Sequence, residues 1–260
     1  MEVVIVPGPA EAGALVGAAI ADLVARRPRA VLGLATGSSP VAVYDDLARR
    51  VAAGELSLGG VRAFLLDEYV GLPRGHDQGY RTFIARHLED RVDLPPGAVQ
   101  GPDAWADDLP AACVAYESAI DAAGGVDLQL LGIGTDGHVG FNEPGSSLAS
   151  RTRIKTLTDQ TRADNARFFA SVDEVPRHVI TQGVGTILQA RHLVMVAFGA
   201  AKAPAVARAV EGPVTAMVPA SALQLHPHVT VAVDEPAAAD LALAGYYRET
   251  WAHKPRWQGL

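Results

Sequence analysis

Cysteine is almost absent from this 260-residue chain: Cys113 stands alone, so no intramolecular disulfide can form. Set in Ala111-Ala112-Cys113-Val114-Ala115, it reads as a small core residue. Basic charge is also scarce. Lys and Arg number 22 against 29 Asp and Glu, a formal net charge of −7, which excludes a general attraction to DNA, RNA or anionic lipid. Any phosphate bound here is held by a few placed groups. No apolar run approaches the ~18 residues of a membrane-spanning helix. The opening MEVVIVPGPAEAG lacks the basic stretch that begins a secretory signal, so the expected location is the cytoplasm. Internal repeats, charge blocks and Ser/Gly linkers are missing too. What remains, 49% hydrophobic and 20% charged residues, is enough for an ordinary globular core.

Short β-branched runs alternate with Ala-rich stretches. Strands are expected at Glu2–Val6, Ala30–Ala35, Val61–Leu66, Val126–Gly132, Leu193–Phe198 and Val229–Val233. Helices are expected at Glu11–Ala25, Val41–Ala52, Leu109–Ala122, Ala200–Val210 and Pro236–Ala244. Strands apolar on both faces, separated by helices, predict an α/β fold: a doubly wound, mostly parallel, Rossmann-like sheet covered on both sides. The polar stretch 142–190 breaks the rhythm and reads as an insertion rather than a second domain. The expectation is one domain over 1–260 with a lid at about 150–185.

In such a sheet, ligands sit beyond the carboxyl ends of the strands. Three loops there are unusually polar. In Leu34-Ala35-Thr36-Gly37-Ser38-Ser39-Pro40, Ser39 reads as a helix N-cap with Pro40 in the first turn. The loop is either a phosphate cradle of hydroxyls and backbone N–H groups or a well-capped helix start; it is not a Walker A loop. In Leu65-Leu66-Asp67-Glu68-Tyr69, strand alternation sends two adjacent carboxylates to opposite faces. One of them in a drying cleft suits proton transfer from carbon; capping or an arginine pair is the other reading.

The third loop, Gly132 to Ser147 (GIGTDGHVGFNEPGSS), contains a formal GxGxxG match. A dinucleotide site needs a helix to start there, and Asn142-Glu143-Pro144-Gly145 reads as a turn, so that site is rejected. Asp136 and His138 share a side if the backbone is extended, and the turn brings Glu143 towards the same imidazole. The set suits proton exchange near neutrality, or it braces the loop. An Asp-x-His pair is also a metal fragment, but no third ligand stands at a supporting spacing, so no metal is expected. Downstream, Lys202 lies in the first turn of a helix, where a cation is otherwise unfavourable, and Arg167 lies within the expected lid.

These segments, LATGSSP at 34–40, DEYVGL at 67–72 and GIGTDGHVGFNEPGSSLAS at 132–150, resemble the glucosamine-6-phosphate deaminase family. So do RTRIKTL at 151–157, NARFF at 165–169 and LQLHP at 223–227, with matching order over about 30–247. The resemblance implies that Asp67 moves a proton between C2 and C1 of the sugar. It implies that His138, tuned by Asp136 and Glu143, opens the pyranose ring, with fructose 6-phosphate and ammonia as products. It also implies phosphate ligands at Thr36, Gly37, Ser38, Arg167 and Lys202, and no cofactor. By the same resemblance, Ser146, Arg153, Lys155, Thr156 and Tyr246 form a site for the activator N-acetylglucosamine 6-phosphate in a hexamer. Arg153 and Lys155, two apart on an extended segment, would face one way as an anion clamp. Leu66 and Gly140 depart from the family mildly, where Met and Ala are common, and the tail 248–260 does not follow it clearly. The alternatives are a 6-phosphogluconolactonase or another sugar-phosphate isomerase on the same fold, and a sugar-phosphate sensor without turnover.

Overall fold

The computed structural model describes residues 1–166 and 169–260. Four mostly apolar runs, β1 (Glu2–Val6), β2 (Val31–Leu34), β6 (Leu128–Leu131) and β9 (His192–Ala197), form most of a seven-stranded sheet. β3 (Arg62–Leu65), β5 (Val99–Gln100) and β10 (Val229–Asp234) complete it, in the order β1-β10-β9-β6-β2-β3-β5. Every pairing in this sheet is parallel. All six residues of both β9 and β10 are buried, as a sheet covered on both faces demands.

One cover is α1 (Pro9–Arg26) and α2 (Ser38–Ala52), whose apolar faces join Leu32, Leu34, Leu128 and Leu130 in one core. The other cover includes α4 (Leu109–Ala122) and α7 (Ala203–Val210), packed over Phe64, Leu131 and Met195. From β2 the chain moves outward through β3 and β5, then returns through α4 to β6 and moves the other way to β9 and β10. The direction reverses between β2 and β6, and a crevice opens beyond the carboxyl ends at such a point.

A second, three-stranded antiparallel sheet grows from this edge. β4 (Asp67–Tyr69), one residue past β3, pairs with β8 (His178–Thr181), and β8 pairs with β7 (Arg153–Thr156). The expected insertion 150–185 thus contains two strands, with α5 (Asp159–Asn165) between them. α3 (Tyr80–His87), α6 (Val184–Ile187) and α8 (Ala244–Ala252) complete the α-helices of the described residues.

Three sequence expectations need correction. No helix forms at 236–243; that stretch is turns, and α8 starts at Ala244. One carboxylate decides this: Glu211 accepts the N–H groups of Ala242 and Leu243 at 2.8 and 2.9 Å. These bonds satisfy donors that a continuous helix would have used, and override alanine's propensity. α2 starts at Ser38, not Val41, because Gly37 turns the chain at φ +97°, so Ser39 lies inside the helix and is not its cap. The helix expected from Ala200 splits into a 3-10 turn, Ala200–Lys202, and α7.

Candidate active site

The loops singled out from sequence follow β2, β3, β6 and β9, four adjacent strands of the parallel sheet, so all reach the same edge. Thr36 is half-buried, and Gly37 and Ser38 are exposed at the mouth of α2. Among the described residues no side chain caps the first N–H groups of that helix. Open donors and the helix dipole together make an anion-attracting point.

Asp67 and Glu68 are both buried, at 5% and 1% exposure, yet their surroundings differ. Glu68 accepts backbone N–H groups from Tyr69 at 2.8 Å, Tyr80 at 3.0 Å and Arg81 at 2.8 Å, the last two opening α3. Burial raises its pKa, while these bonds and the Arg81 charge pull the other way. Glu68 is therefore the cap of α3, and its oxygens are committed. Among the described residues no hydrogen bond or ion pair reaches the Asp67 carboxylate. Burial, then the neighbouring Glu68 charge, hold its pKa well above the usual carboxylate range. A dry, unpartnered carboxyl at a strand's end has the properties of a general base.

The loop after β6 stays irregular throughout, as the rejection of a dinucleotide site required. Gly134 and Gly137 close a turn, with the Gly137 N–H donating to Gly134 O at 3.0 Å. The His138 ring lies across Gly134, where a Cβ would stand 2.2 Å from the ring's Cε1. Glycine at 134 is thus a requirement of the imidazole's position. His138 Nδ1 lies 2.7 Å from Asp136 Oδ1, which also accepts the His138 backbone N–H at 3.1 Å. Burial works to raise the Asp136 pKa, but the contacts with His138 outweigh it and hold the carboxyl below its usual range.

Glu143 does not reach the imidazole. The Pro144-Gly145 turn sends its carboxylate to α5, where it accepts the hydroxyls of Thr161 and, at 3.4 Å, Thr158. Thr158 is itself the N-cap of α5. The expected convergence of Asp136 and Glu143 on His138 is corrected to one carboxylate on the ring and one on the helix of the insertion.

Lys202 closes the 3-10 turn after β9, and its Nζ donates to Ile133 O at 2.7 Å, leaning over the end of β6. Arg167 lies outside the described residues. Arg153 and Lys155 alternate on β7 as expected, both half-buried, and Thr156 is exposed with its hydroxyl 3.3 Å from His178 Nδ1. Ser146 is buried and its Oγ has no partner among the described residues. Tyr246 does not join this group: α8 packs on β1, the far edge of the sheet from β3, leaving Tyr246 60% exposed.

Sequence reasoning missed three residues that pack around Asp67. Thr181 stands opposite Asp67 in the register and accepts the Phe141 N–H at 3.1 Å. Fully buried Asn142 donates to Val139 O and Gln182 O at 2.9 and 2.8 Å. Gln182 N–H donates to Leu66 O at 2.7 Å. Gly140 is also no mild departure: at φ +56°, a Cβ there would lie 2.9 Å from Thr181 Oγ1 and 3.4 Å from Asp67 Oδ2. Among the described residues no group of three His, Cys, Asp or Glu is placed to hold a metal ion.

Comparison with known proteins meets this geometry. Residues 9–232 match the family model described as glucosamine-6-phosphate isomerases/6-phosphogluconolactonase. A glucosamine-6-phosphate deaminase of Arthrobacter sp. (strain FB24) is 64% identical over the full length of both chains. The solved structure of a monomeric glucosamine-6-phosphate deaminase superposes with a TM-score of 0.89 at 40% identity, covering 92% of this chain and 100% of that one. A 6-phosphogluconolactonase from Trypanosoma cruzi shares the fold alone, with a TM-score of 0.73 at 20% identity over 93% of this chain and 97% of that one. The chain belongs to the glucosamine-6-phosphate isomerase/6-phosphogluconolactonase family, among its glucosamine-6-phosphate deaminases.

Proposed function

We propose that this protein converts glucosamine 6-phosphate and water to fructose 6-phosphate and ammonia. The observation that carries the reading is the pair of adjacent carboxylates: Glu68 is held by three backbone N–H groups, and Asp67 is buried, unpartnered among the described residues and raised in pKa. His138, aligned over Gly134 beside Asp136, exchanges the proton between the ring oxygen and O1 that opens the pyranose. Asp67 then takes the C2 proton and returns it at C1, passing through an enolamine to the 2-imine. Water adds to that imine and ammonia leaves, giving the 2-ketose. The phosphate lies against Thr36, Gly37 and Ser38 at the open start of α2, with Lys202 and Arg167 as its cations. Remote binding of this kind holds C1 and C2 against one base.

The insertion 150–185 acts as a lid on a single domain, and Glu143 serves the reaction from the lid side, through Thr158 and Thr161. Arg153, Lys155, Thr156 and Ser146 take the activator N-acetylglucosamine 6-phosphate in a hexamer. Tyr246 enters that site only from a second copy, since α8 lies at the far edge of its own sheet. The reaction takes place in the cytoplasm.

The test is a coupled assay for ammonia and fructose 6-phosphate with glucosamine 6-phosphate and its galacto epimer. Equal amounts of both products are expected from the gluco substrate. Absence of ammonia overturns the assignment, and hydrolysis of 6-phosphogluconolactone in its place would move the chain to the lactonases. For the regulatory site, light scattering and substrate titration with and without the activator decide. A monomer with hyperbolic kinetics in both conditions sinks it.

A further inference from the structure

Both chain segments that join the 150–185 unit to the main sheet pass beneath one side chain of α4. Glu117 Oε1 accepts the N–H of Thr152, just before β7, at 2.7 Å. The same oxygen accepts the hydroxyl of Thr186, on the segment leaving β8, at 2.6 Å. Oε2 pairs with the Arg151 guanidinium. The two segments are pressed together at this point. Gly185 N–H donates to Ser150 O at 2.9 Å and Val184 N–H to Ser150 Oγ at 3.1 Å. A Cβ at Gly183 would stand 2.1 Å from Ser150 O, so no side chain fits between the backbones.

This crossing is the root of β8, and β8 is what Asp67 pairs with. Gln182, next to Gly183, donates its N–H to Leu66 O and its Nε2 to Leu65 O at 2.9 Å, directly before Asp67. It also receives Asn142 Nδ2 at its carbonyl, from the loop that carries His138. A displacement at the crossing is therefore passed to the base and to the imidazole loop together. We propose that Glu117 is a positioning residue for catalysis: by clamping Thr152 and Thr186 to α4 it holds β8, and through Gln182 the Asp67 carboxylate, in its working place. The inference rests on the assignment of Asp67 as the base.

A displacement near 1 Å at a reacting group costs up to about a hundredfold in rate. Glu117→Ala is expected to lower kcat at least about tenfold with a smaller change in KM, since Thr36, Gly37, Ser38 and Lys202 lie on loops of the main sheet that the crossing does not hold. Glu117→Gln keeps an acceptor oxygen for both donors and loses only the exposed pair with Arg151, so kcat stays within about threefold. Amide exchange provides a readout independent of turnover: the Gln182 N–H loses protection in Glu117→Ala and keeps it in Glu117→Gln. Should Glu117→Ala fail to fold, Glu117→Asp, one methylene too short to span both donors, is expected to show the same loss. A folded Glu117→Ala or Glu117→Asp with near-native kcat and an unchanged Gln182 amide overturns the clamp. Turnover surviving in Asp67→Asn overturns the base instead, and the Gln182 amide then judges the clamp by itself.

Discussion

Replace each of the two adjacent carboxylates by its amide, and the structure demands opposite outcomes. Glu68 takes three backbone N–H groups on two oxygens, that of Tyr69 buried and those of Tyr80 and Arg81 partly buried. Glutamine in the same place offers one oxygen, which keeps the Tyr69 and Tyr80 donors, and turns an NH2 towards the N–H of Arg81. One partly buried donor left unpaired, together with the loss of charge assistance on the others, costs about 2–3 kcal/mol. For a chain of this size that is a Tm lower by about 5–10 °C. Turnover of Glu68→Gln, measured well below its Tm, stays within about tenfold, because Glu68 touches no reacting atom. Asp67→Asn behaves in reverse. The folded-state pKa of Asp67 lies above its unfolded value, so stability is lost as pH rises from the unfolded pKa towards the folded one, and removing the titrating carboxyl removes that penalty. Its Tm is expected at or above that of the unsubstituted protein, with turnover down about 10²–10⁴-fold as for loss of a general base. Scanning calorimetry at pH 7.5 and the ammonia assay supply both readouts. An Asp67→Asn that loses as much stability as Glu68→Gln would show that Asp67 is structural too, and the division of labour would fail.

The acid limb of kcat/KM should titrate well above the ordinary carboxylate value of about 3.9, because burial raises Asp67 and the ionised form is the base. A limb that persists unchanged in a variant lacking Asp67 would point to another group. Gly134→Ala pushes a methyl into the His138 ring, so kcat should fall at least about tenfold with little change in phosphate affinity, measured with inorganic phosphate as a competitive inhibitor. His192 stacks on His228 with ring centroids 3.6 Å apart, and burial, then neighbouring positive charge, push its pKa down to about 3 from 6.5. The unfolded chain therefore binds an extra proton between those values, and stability drops by up to about 1.4 kcal/mol per pH unit as pH falls from 6.5. Urea midpoints across that range should be shallower in His192→Phe, and equal slopes would contradict the assignment.

Much of this protein was determined by local sequence. Mostly apolar runs of four to six residues, too short to be helices in this setting, could only be strands buried on both faces, which fixed a parallel sheet. Once the sheet was parallel, the loops after Leu34, Leu65, Leu131 and Ala197 had to share one edge. The motifs within them were legible because Gly, Pro, Asp and His act through their own backbone neighbourhood.

Tertiary structure decided what depends on partners distant in the chain. Asp67 and Glu68 are chemically equivalent in sequence; only the approach of Tyr80 and Arg81 commits one to capping and leaves the other dry. Glu143 goes to Thr158 and Thr161 rather than to His138 because a turn's exit direction is set by what it packs on. β7 and β8 are short and partly polar, so the pairing of β8 with β4 and of β7 with β8 is a product of register and not of pattern. The Ala-rich stretch after Asp234 has helix propensity, yet the carboxylate of Glu211 holds its far end out of the helix. Propensity and periodicity are sums over near neighbours along the chain, and a hydrogen bond to a residue well beyond the next helical turn enters neither.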